Sequence, residues 1–553
     1  MSEPVGRGRG GLRAAYVGVA LLPLTALVLF FLYPVAGMTA RGVWPHGRPD
    51  LGAVLEVLGR PRVHRVLWFT VWSAAAATGV AVVLGVPVAF VLHRLRFPGQ
   101  RLVRALVVVP FVLPTVVVGV AFRRLLAASG PLGGLGLDGS AGGILAALVF
   151  FNVGVVVRTV GAFWESLDPR REQAAAALGA GPLQVLRTIT LPALLPGIVS
   201  AASVVFLFCA TSFGVVLTMG GLRYANVETE IYLLTTQELD LTGAAALSLL
   251  QLAVVTGLLA VAARSRRPVA WDRTAQAART APRPRWAHLP VLLVTVVVLV
   301  FLLAPLLSLA LASLRSGGGW GLDSYRALSG TGQRNALLVP ATEALTISLE
   351  IAVLAAGLAL LLGTMVAWLV SRPRRGRVAA LLDSLFMLPL GVSAVTVGFG
   401  FLITLDHPPL DLRSSALLVP VAQAMVALPL VVRTTVPVLR SVDDRQRQAA
   451  ASLGAGPWRV LLSVDLPAAW RALLAALGFA FAVSLGEFGA TSFLARDDRP
   501  TLPVVIYRLL GHPGAQNFGM AMAASVVLAA TTTTVMLLVE RLRIGPSGAL
   551  GSL

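Results

Sequence analysis

Twelve stretches of this 553-residue chain run apolar for long enough to cross a bilayer, and no other feature constrains its fold as much. They fall at roughly 14–36, 66–92, 103–127, 143–163, 192–218, 243–263, 288–314, 345–370, 378–404, 414–438, 468–494 and 518–539. An apolar run of about 18 residues or more reads as a spanning helix, because only helices and closed barrels satisfy their backbone in lipid. The alternating pattern of a membrane β-barrel is absent. The expected class is an all-α polytopic membrane protein of about twelve helices. A charged fraction of 13% supports this, since soluble domains carry about a quarter. Disorder is excluded by the 57% hydrophobic content. The first run follows Arg7, Arg9 and Arg13. It is long for a signal peptide and no clear cleavage site follows, so it reads as an uncleaved helix. Pro110, Pro114, Pro192, Pro196, Pro389, Pro429 and Pro467 fall in or beside spans and predict kinks.

A formal charge of +20 would suggest nucleic acid in a soluble protein. In a chain this apolar the partner is the lipid bilayer, and no nucleic-acid role is expected. All 45 basic residues are arginine. Without lysine there is no Walker A loop, no kinase strand lysine and no Schiff-base nucleophile. Cys209 is the sole cysteine, so no intrachain disulfide or cysteine zinc cluster forms. His46, His64, His93, His288, His407 and His512 show no metal-ligand spacing. Gly6–Gly11 matches GxGxxG literally, but it follows no strand and reads as a basic tail. No metal site and no catalytic dyad or triad is visible. Asp443-Asp444 falls at a helix start, where capping explains it.

The chain repeats itself. Val107-Val108-Val109-Pro110 leads to Gly119 as Phe386-Met387-Leu388-Pro389 leads to Gly398, with nine residues from Pro to Gly in both. Leu84-Gly85 and Arg94 match Leu362-Gly363 and Arg372; Phe213-Gly214 matches Phe488-Gly489; Ile231-Tyr232 matches Ile506-Tyr507. The offsets are 279, 278 and 275, close to half the chain. Each half holds an even number of helices, which makes a parallel repeat about an axis along the membrane normal. The expected domains are 1–263 and 288–545, joined by an Arg- and Pro-rich linker at 264–287 and followed by a tail at 546–553.

The most informative match lies between the fourth and fifth helices of each half. The first copy runs from Asp168-Pro169 through Gln173-Ala174-Ala175 and Leu178-Gly179-Ala180-Gly181-Pro182 to Leu191-Pro192. The second runs from Asp443-Asp444 through Gln448-Ala449-Ala450 and Leu453-Gly454-Ala455-Gly456-Pro457 to Leu466-Pro467. Asp168 is placed to cap a helix whose first residue is Pro169. The alanines favour helix, and Gly179 or Gly181 ends it in a left-handed turn. A second short amphipathic helix, with Leu183, Val185, Leu186 and Ile189 apolar, is expected before the Leu-Pro. Each loop is thus a small-faced, arginine-flanked helix–turn–helix.

Gln173-Ala174-Ala175…Gly179 and Gln448-Ala449-Ala450…Gly454, each followed by Leu-Pro, resemble the EAA loop of binding-protein-dependent ABC importer permeases. Both copies carry Gln where the family name has Glu, and Glu172 is adjacent in the first. The resemblance implies a fused pair of six-helix permease domains. It implies that Gln173, Ala174, Ala175, Gly179, Leu191, Pro192, Gln448, Ala449, Ala450, Gly454, Leu466 and Pro467 couple to an ATPase. It implies two copies of that ATPase, which would bind the ATP and Mg, an extracytoplasmic solute-binding protein, and no cofactor on this chain. The absent lysine then fits. Thr211–Gly221 with Glu228-Thr229-Glu230-Ile231-Tyr232, and Thr501-Leu502-Pro503 with Ile506–Gly511, are similar to thiamine permeases, and ferric-iron permeases share much of this pattern.

An ionisable group inside a membrane marks a pathway candidate. Glu487 reads as two-thirds along the eleventh helix, with Ser212 of the fifth as its repeat partner across the pseudo-twofold. Thr211, Ser484, Thr491 and Ser492 add hydroxyls. These groups are expected to line the path, with Glu487 favouring a cationic solute. The competing reading is a twelve-helix secondary transporter of the major-facilitator type, which would not need the matched loops. With the N-terminus inside, about two-thirds of the arginines fall on the side carrying both loops, as the positive-inside rule requires. That places the chain in the cell membrane with both termini and both loops cytoplasmic.

Overall fold

The computed structural model describes residues 18–44, 51–221, 223–265, 283–316, 319–371, 392–406 and 411–543. The N-terminal GxGxxG match, most of the expected linker, His46, His407 and residues 378–391 of one expected span lie outside them. Among the described residues, ten helices are long and apolar enough to span a membrane. The first five are α1 (Gly18–Val43), α2 (Pro61–Arg94), α3 (Ala141–Ser166), α4 (Pro182–Ala210) and α5 (Leu241–Leu258, within a helix that runs to Ser265). The rest are α6 (Trp286–Ser313), α7 (Ala341–Ser371), α8 (Leu418–Ser441), α9 (Pro457–Leu485) and α10 (Ala515–Val539). A two-residue hairpin, Arg315–Ser316 against Gly319–Trp320, follows α6.

Three expected spans are not continuous helices. The run at 103–127 is a pair, Gln100–Val112 and Thr115–Leu126, bent by 103°. The cause is local: Leu113 precedes Pro114, sits at ψ 139° and leaves the helical region. The run at 192–218 breaks at Thr211–Ser212, after which a separate helix, Phe213–Gly220, begins. The run at 468–494 breaks after Leu485, so Glu487 lies beyond the helix end rather than within it. Gly486 and Gly489 allow close approach there: an added Cβ would lie 3.1 Å from Pro114 Cγ and 3.0 Å from Ala394 Cβ respectively.

In each half, three helices form the core: α2, α3 and α4 in the first, α7, α8 and α9 in the second. Small residues recur along the buried face of α2, at Ala74, Ala77, Ala81, Gly85 and Ala89, and on α7 at Ala352, Ala355, Ala356, Ala359 and Gly363. Small side chains let helix backbones approach closely in lipid. A Cβ on Gly85 would lie 2.8 Å from Val156, and one on Gly363 would lie 2.6 Å from Val431 Cγ1. Both partners in these two contacts are related by the repeat, so one packing solution is built twice.

The first helix of each half crosses to the other half. The buried residues Val19, Leu27 and Phe31 of α1 share a core with Leu362, Val366, Met425 and Val432 of the second half. The end of α1 also rests on α5, the last helix of its own half. Reciprocally, Val298 and Leu302 of α6 join the core of α2 and α3, and α6 also packs on α10. Large apolar side chains on the outer faces, among them Trp68 at 70% and Leu293 at 63% exposure, are where lipid would lie.

Candidate functional site

The two loops fold alike. The Asp168 carboxylate accepts from the Arg170 N–H at 3.0 Å and Asp443 from Arg445 at 2.9 Å, each capping a nine-residue helix, Pro169–Ala177 or Asp444–Ser452. Each helix ends in a Schellman motif. Ala180 N–H donates to the Ala175 carbonyl and Gly179 N–H to that of Ala176, both at 3.0 Å. Ala455 to Ala450 and Gly454 to Ala451 repeat this at 3.0 Å. Gly179 at φ 89° and Gly454 at φ 86° occupy the left-handed position that favours glycine. Gly181, at φ −67°, does not serve this role. The expected second short helix is not separate. Pro182 and Pro457 open helices that continue through one π-turn, Leu186–Thr190 or Leu461–Asp465, into the spans.

Gln173, Ala174, Gln448 and Ala449 are exposed on these helices. Leu178 is 90% exposed and its repeat partner Leu453 88%. Leu183 and Trp458, also related by the repeat, stand exposed beside them. Each loop thus exposes one large apolar side chain at its tip with a second beside it.

What holds each loop to the bundle differs. In the first, Glu172 pairs with Arg94 at the end of α2 and accepts from the Thr190 hydroxyl at 2.9 Å. In the second, the residue at the position of Glu172 is Arg447, and that at the position of Thr190 is Asp465. Arg447 donates to Asp465 at 2.8 Å, to Asp444 at 2.6 Å and to the Leu439 carbonyl at 2.7 Å. Asp465 is fully buried and also accepts from the Trp368 indole at 3.3 Å. Burial pulls the Arg447 pKa down, but Asp465 and Asp444 outweigh it and hold the group above its ordinary value.

A cavity of about 230 Å³ lies between the halves. Thr211, Glu228 and Glu487 contribute its polar side, together with Thr115, and Phe111, Phe151, Phe213, Phe479 and Phe488 much of its apolar side. Ser212, Ser484 and Thr491 are buried but do not line it. The Glu487 carboxylate accepts from the backbone N–H of Ala490 at 2.7 Å and Thr491 at 3.0 Å, and from the Thr491 hydroxyl at 2.5 Å. It caps the short helix Thr491–Leu494 while forming part of the cavity wall. Gln423 adds an amide N–H on the Thr491 hydroxyl at 3.2 Å.

Phe213 stacks on Phe488 with centroids 5.3 Å apart and planes at 22°. The two rings are related by the repeat, so this stack marks the pseudo-twofold axis. Tyr232 packs on Phe213 at 5.4 Å and Tyr507 on Phe488 at 5.5 Å, extending the cluster symmetrically. Sequence reasoning paired these residues but did not place them at the cavity. In the sequence Glu228 stands only as one residue of the Glu228-Thr229-Glu230-Ile231-Tyr232 motif. The available signal was a pair of carboxylates, Glu228 and Glu230, at the edge of the apolar run Ile231-Tyr232-Leu233-Leu234.

Comparison with known proteins agrees with this geometry. The family described as binding-protein-dependent transport system inner membrane component matches residues 81–269 and 359–543, one match in each half. The thiamine transport system permease protein ThiP of Brucella abortus (strain 2308) is 28% identical over 491 residues, covering 86% of this chain and 87% of that protein. Its counterpart in Escherichia coli (strain K12) is 29% identical over 468 residues, covering 82% and 84%. The molybdenum transport system permease protein ModB of Mycobacterium bovis is 34% identical over 260 residues, covering 45% of this chain and 95% of its own length. None of these points to the major-facilitator alternative. With the family matched twice over more than half its length, the chain belongs to the binding-protein-dependent transport system inner membrane components: it is a multi-pass permease subunit of an ABC importer, and not an enzyme.

Proposed function

We propose that this permease carries a thiamine-type solute, delivered by an extracytoplasmic binding protein and released by alternating access. Support for the solute comes from relatives named for thiamine transport that match both halves along most of their length. Ferric iron fits the cavity poorly, since no group of three or more His, Cys, Asp or Glu is placed to hold a metal among the described residues.

The drive is a pair of ATPase subunits, which bind the ATP and Mg, seated on the two loops. The observation that carries this reading is the twin Schellman-capped helix presenting Leu178 or Leu453 to solvent. Gln173, Ala174, Ala175, Gly179 and Leu191-Pro192 form the first contact and lever. Gln448, Ala449, Ala450, Gly454 and Leu466-Pro467 form the second. The π-turn joins each loop rigidly to α4 or α9, so displacement of the loop is passed to the wall of the cavity. Thr211 and Glu487 lie on the solute path, with Ser212, Ser484 and Thr491 supporting it from behind. The domains are 1–263 and 288–545 with a linker at 264–287. The termini and loops face the cytoplasm of a cell with this chain in its plasma or inner membrane.

The test is reconstitution in proteoliposomes with the cognate ATPase and binding protein. Thiamine uptake should require ATP, and Leu178→Asp with Leu453→Asp should abolish both ATPase association and uptake. An uptake that survives ATP depletion with an ion gradient intact, in a chain that never binds an ATPase, sinks the proposal. Unchanged uptake by Glu487→Gln removes that residue from the path.

A further inference from the structure

The cavity wall carries two carboxylates in different states of satisfaction. Glu487 has both oxygens engaged as a helix cap. Glu228 is fully buried on the opposite half, at the start of the helix Val227–Thr236. Its Oε1 accepts from the Gln251 amide and the Ser393 hydroxyl lies within reach of the carboxyl group, while among the described residues its Oε2 has no hydrogen-bond partner of good geometry. Residues two apart on a helix point to nearly opposite sides. Accordingly Glu230 turns away from the cavity and pairs with Arg62 at 2.6 Å. Among the described residues no arginine pairs with Glu228 or Glu487, in a chain that has 45 of them.

A buried carboxylate with a free oxygen is costly unless a cation or proton donor meets it. Five phenylalanines surround the same space, and aromatic faces attract organic cations while offering a stacking surface to flat rings. A hydrated metal ion would find too few oxygen ligands here, and an oxyanion would meet two carboxylates. We propose that Glu228 is the residue that reads solute charge in this cavity, and that its ligand class is a flat aromatic organic cation held between the carboxylate and the phenylalanine rings. Glu487 keeps the wall in shape and contributes its charge at longer range. This deepens the thiamine reading and rests on it for the solute's name, but the chemistry follows from the cavity.

The experiment uses the full chain in lipid nanodiscs, with thiamine and its neutral analogue, in which a thiophene ring replaces the thiazolium, as probes for direct binding. The same pair is then followed by uptake in the reconstituted importer. The unmodified protein should bind the cation at least tenfold better than the neutral analogue. Glu228→Gln should reduce that preference to less than threefold by weakening cation binding alone, while binding-protein-stimulated ATP hydrolysis persists. Glu487→Gln should keep most of the preference. Equal loss of both probes in Glu228→Gln, or an unchanged preference, overturns the proposal. So does an unmodified protein that does not distinguish the probes, a readout that needs no variant to fold. The solute reading fails separately: thiamine uptake is then absent in an importer that hydrolyses ATP, whatever the binding preference.

Discussion

The two loops have nearly the same backbone and opposite electrostatics. Their left-handed glycines differ by 3° in φ, at 89° and 86°, and their turns use matching hydrogen bonds. Yet the first is fastened by a carboxylate on the loop helix, Glu172, to Arg94 of α2. The second is fastened by a guanidinium at the matching position, Arg447, to Asp465 of its own π-turn. The lesson is that the duplicated unit preserves the shape of the loop, while the fastening beneath it is free to change so long as the charges in that fastening are paired. The difference in burial also ranks the two. Arg447 is 8% and Asp465 0% exposed in their side chains, against 14% for Arg94 and 26% for Glu172.

This asymmetry sets the order of effects. Arg447→Ala leaves Asp465 buried without its countercharge, a loss of about 3–5 kcal/mol for a broken buried pair. Thermal unfolding in nanodiscs should fall steeply and ATP-driven uptake should be lost. Adding Asp465→Asn to Arg447→Ala should recover part of the stability, because the orphaned charge goes with it. If it does not, the second loop is not fastened as described. Next come Gly179→Ala and Gly454→Ala, each forcing a Cβ into the left-handed region at about 1–2 kcal/mol. Uptake should suffer equally in the two, since neither glycine has a neighbour for the new methyl to strike; a large difference would mean the loops are not equivalent as docking surfaces. Glu172→Gln should cost about 1 kcal/mol, as expected for a partly exposed pair, and slow uptake only a few-fold.

The smallest expected effect is on pH dependence. The folded pKa of Arg447 lies above its already basic ordinary value. A raised pKa gives stabilisation that is fully present below the unfolded pKa and lost only as pH rises through the folded one. From pH 6 to 10 the stability gap between the unmodified chain and Arg447→Met should therefore stay flat. A gap that closes in this window would mean that another group supplies the charge.

Local chemistry made the loops legible in the sequence. Asp caps, first-turn proline, alanine runs and a left-handed glycine act within a dozen residues, and all appear where expected, with Gly179 the one of the two candidate glycines that makes the turn. The spans were legible by hydropathy, but not their breaks. Pro114 announces a break, but the proline alone does not give the 103° angle between the two helices. Glu487 read as mid-helix because its neighbours are apolar, and Gly486 and Gly489, which end the helix around it, are common inside spans too. The sign change at Glu172 and Arg447 was visible by alignment of the repeat. Its meaning was not, because Arg94 and Trp368, which meet these anchors, lie far away in sequence. Glu228 and Glu230 looked alike as letters, and only the helix face separates a cavity wall from an ion pair.

The exchanged first helices carry a mechanical consequence. Each of α1 and α6 is clasped between the last helix of its own half and the core of the other. The piece of chain that was copied is therefore not the piece that packs as one body. Were the halves to part, α1 would either travel with its hosts α7 and α8 and leave α5, or stay with α5 and bare Val19, Leu27 and Phe31. The contacts of α1 and α6 therefore cross the division between the two halves.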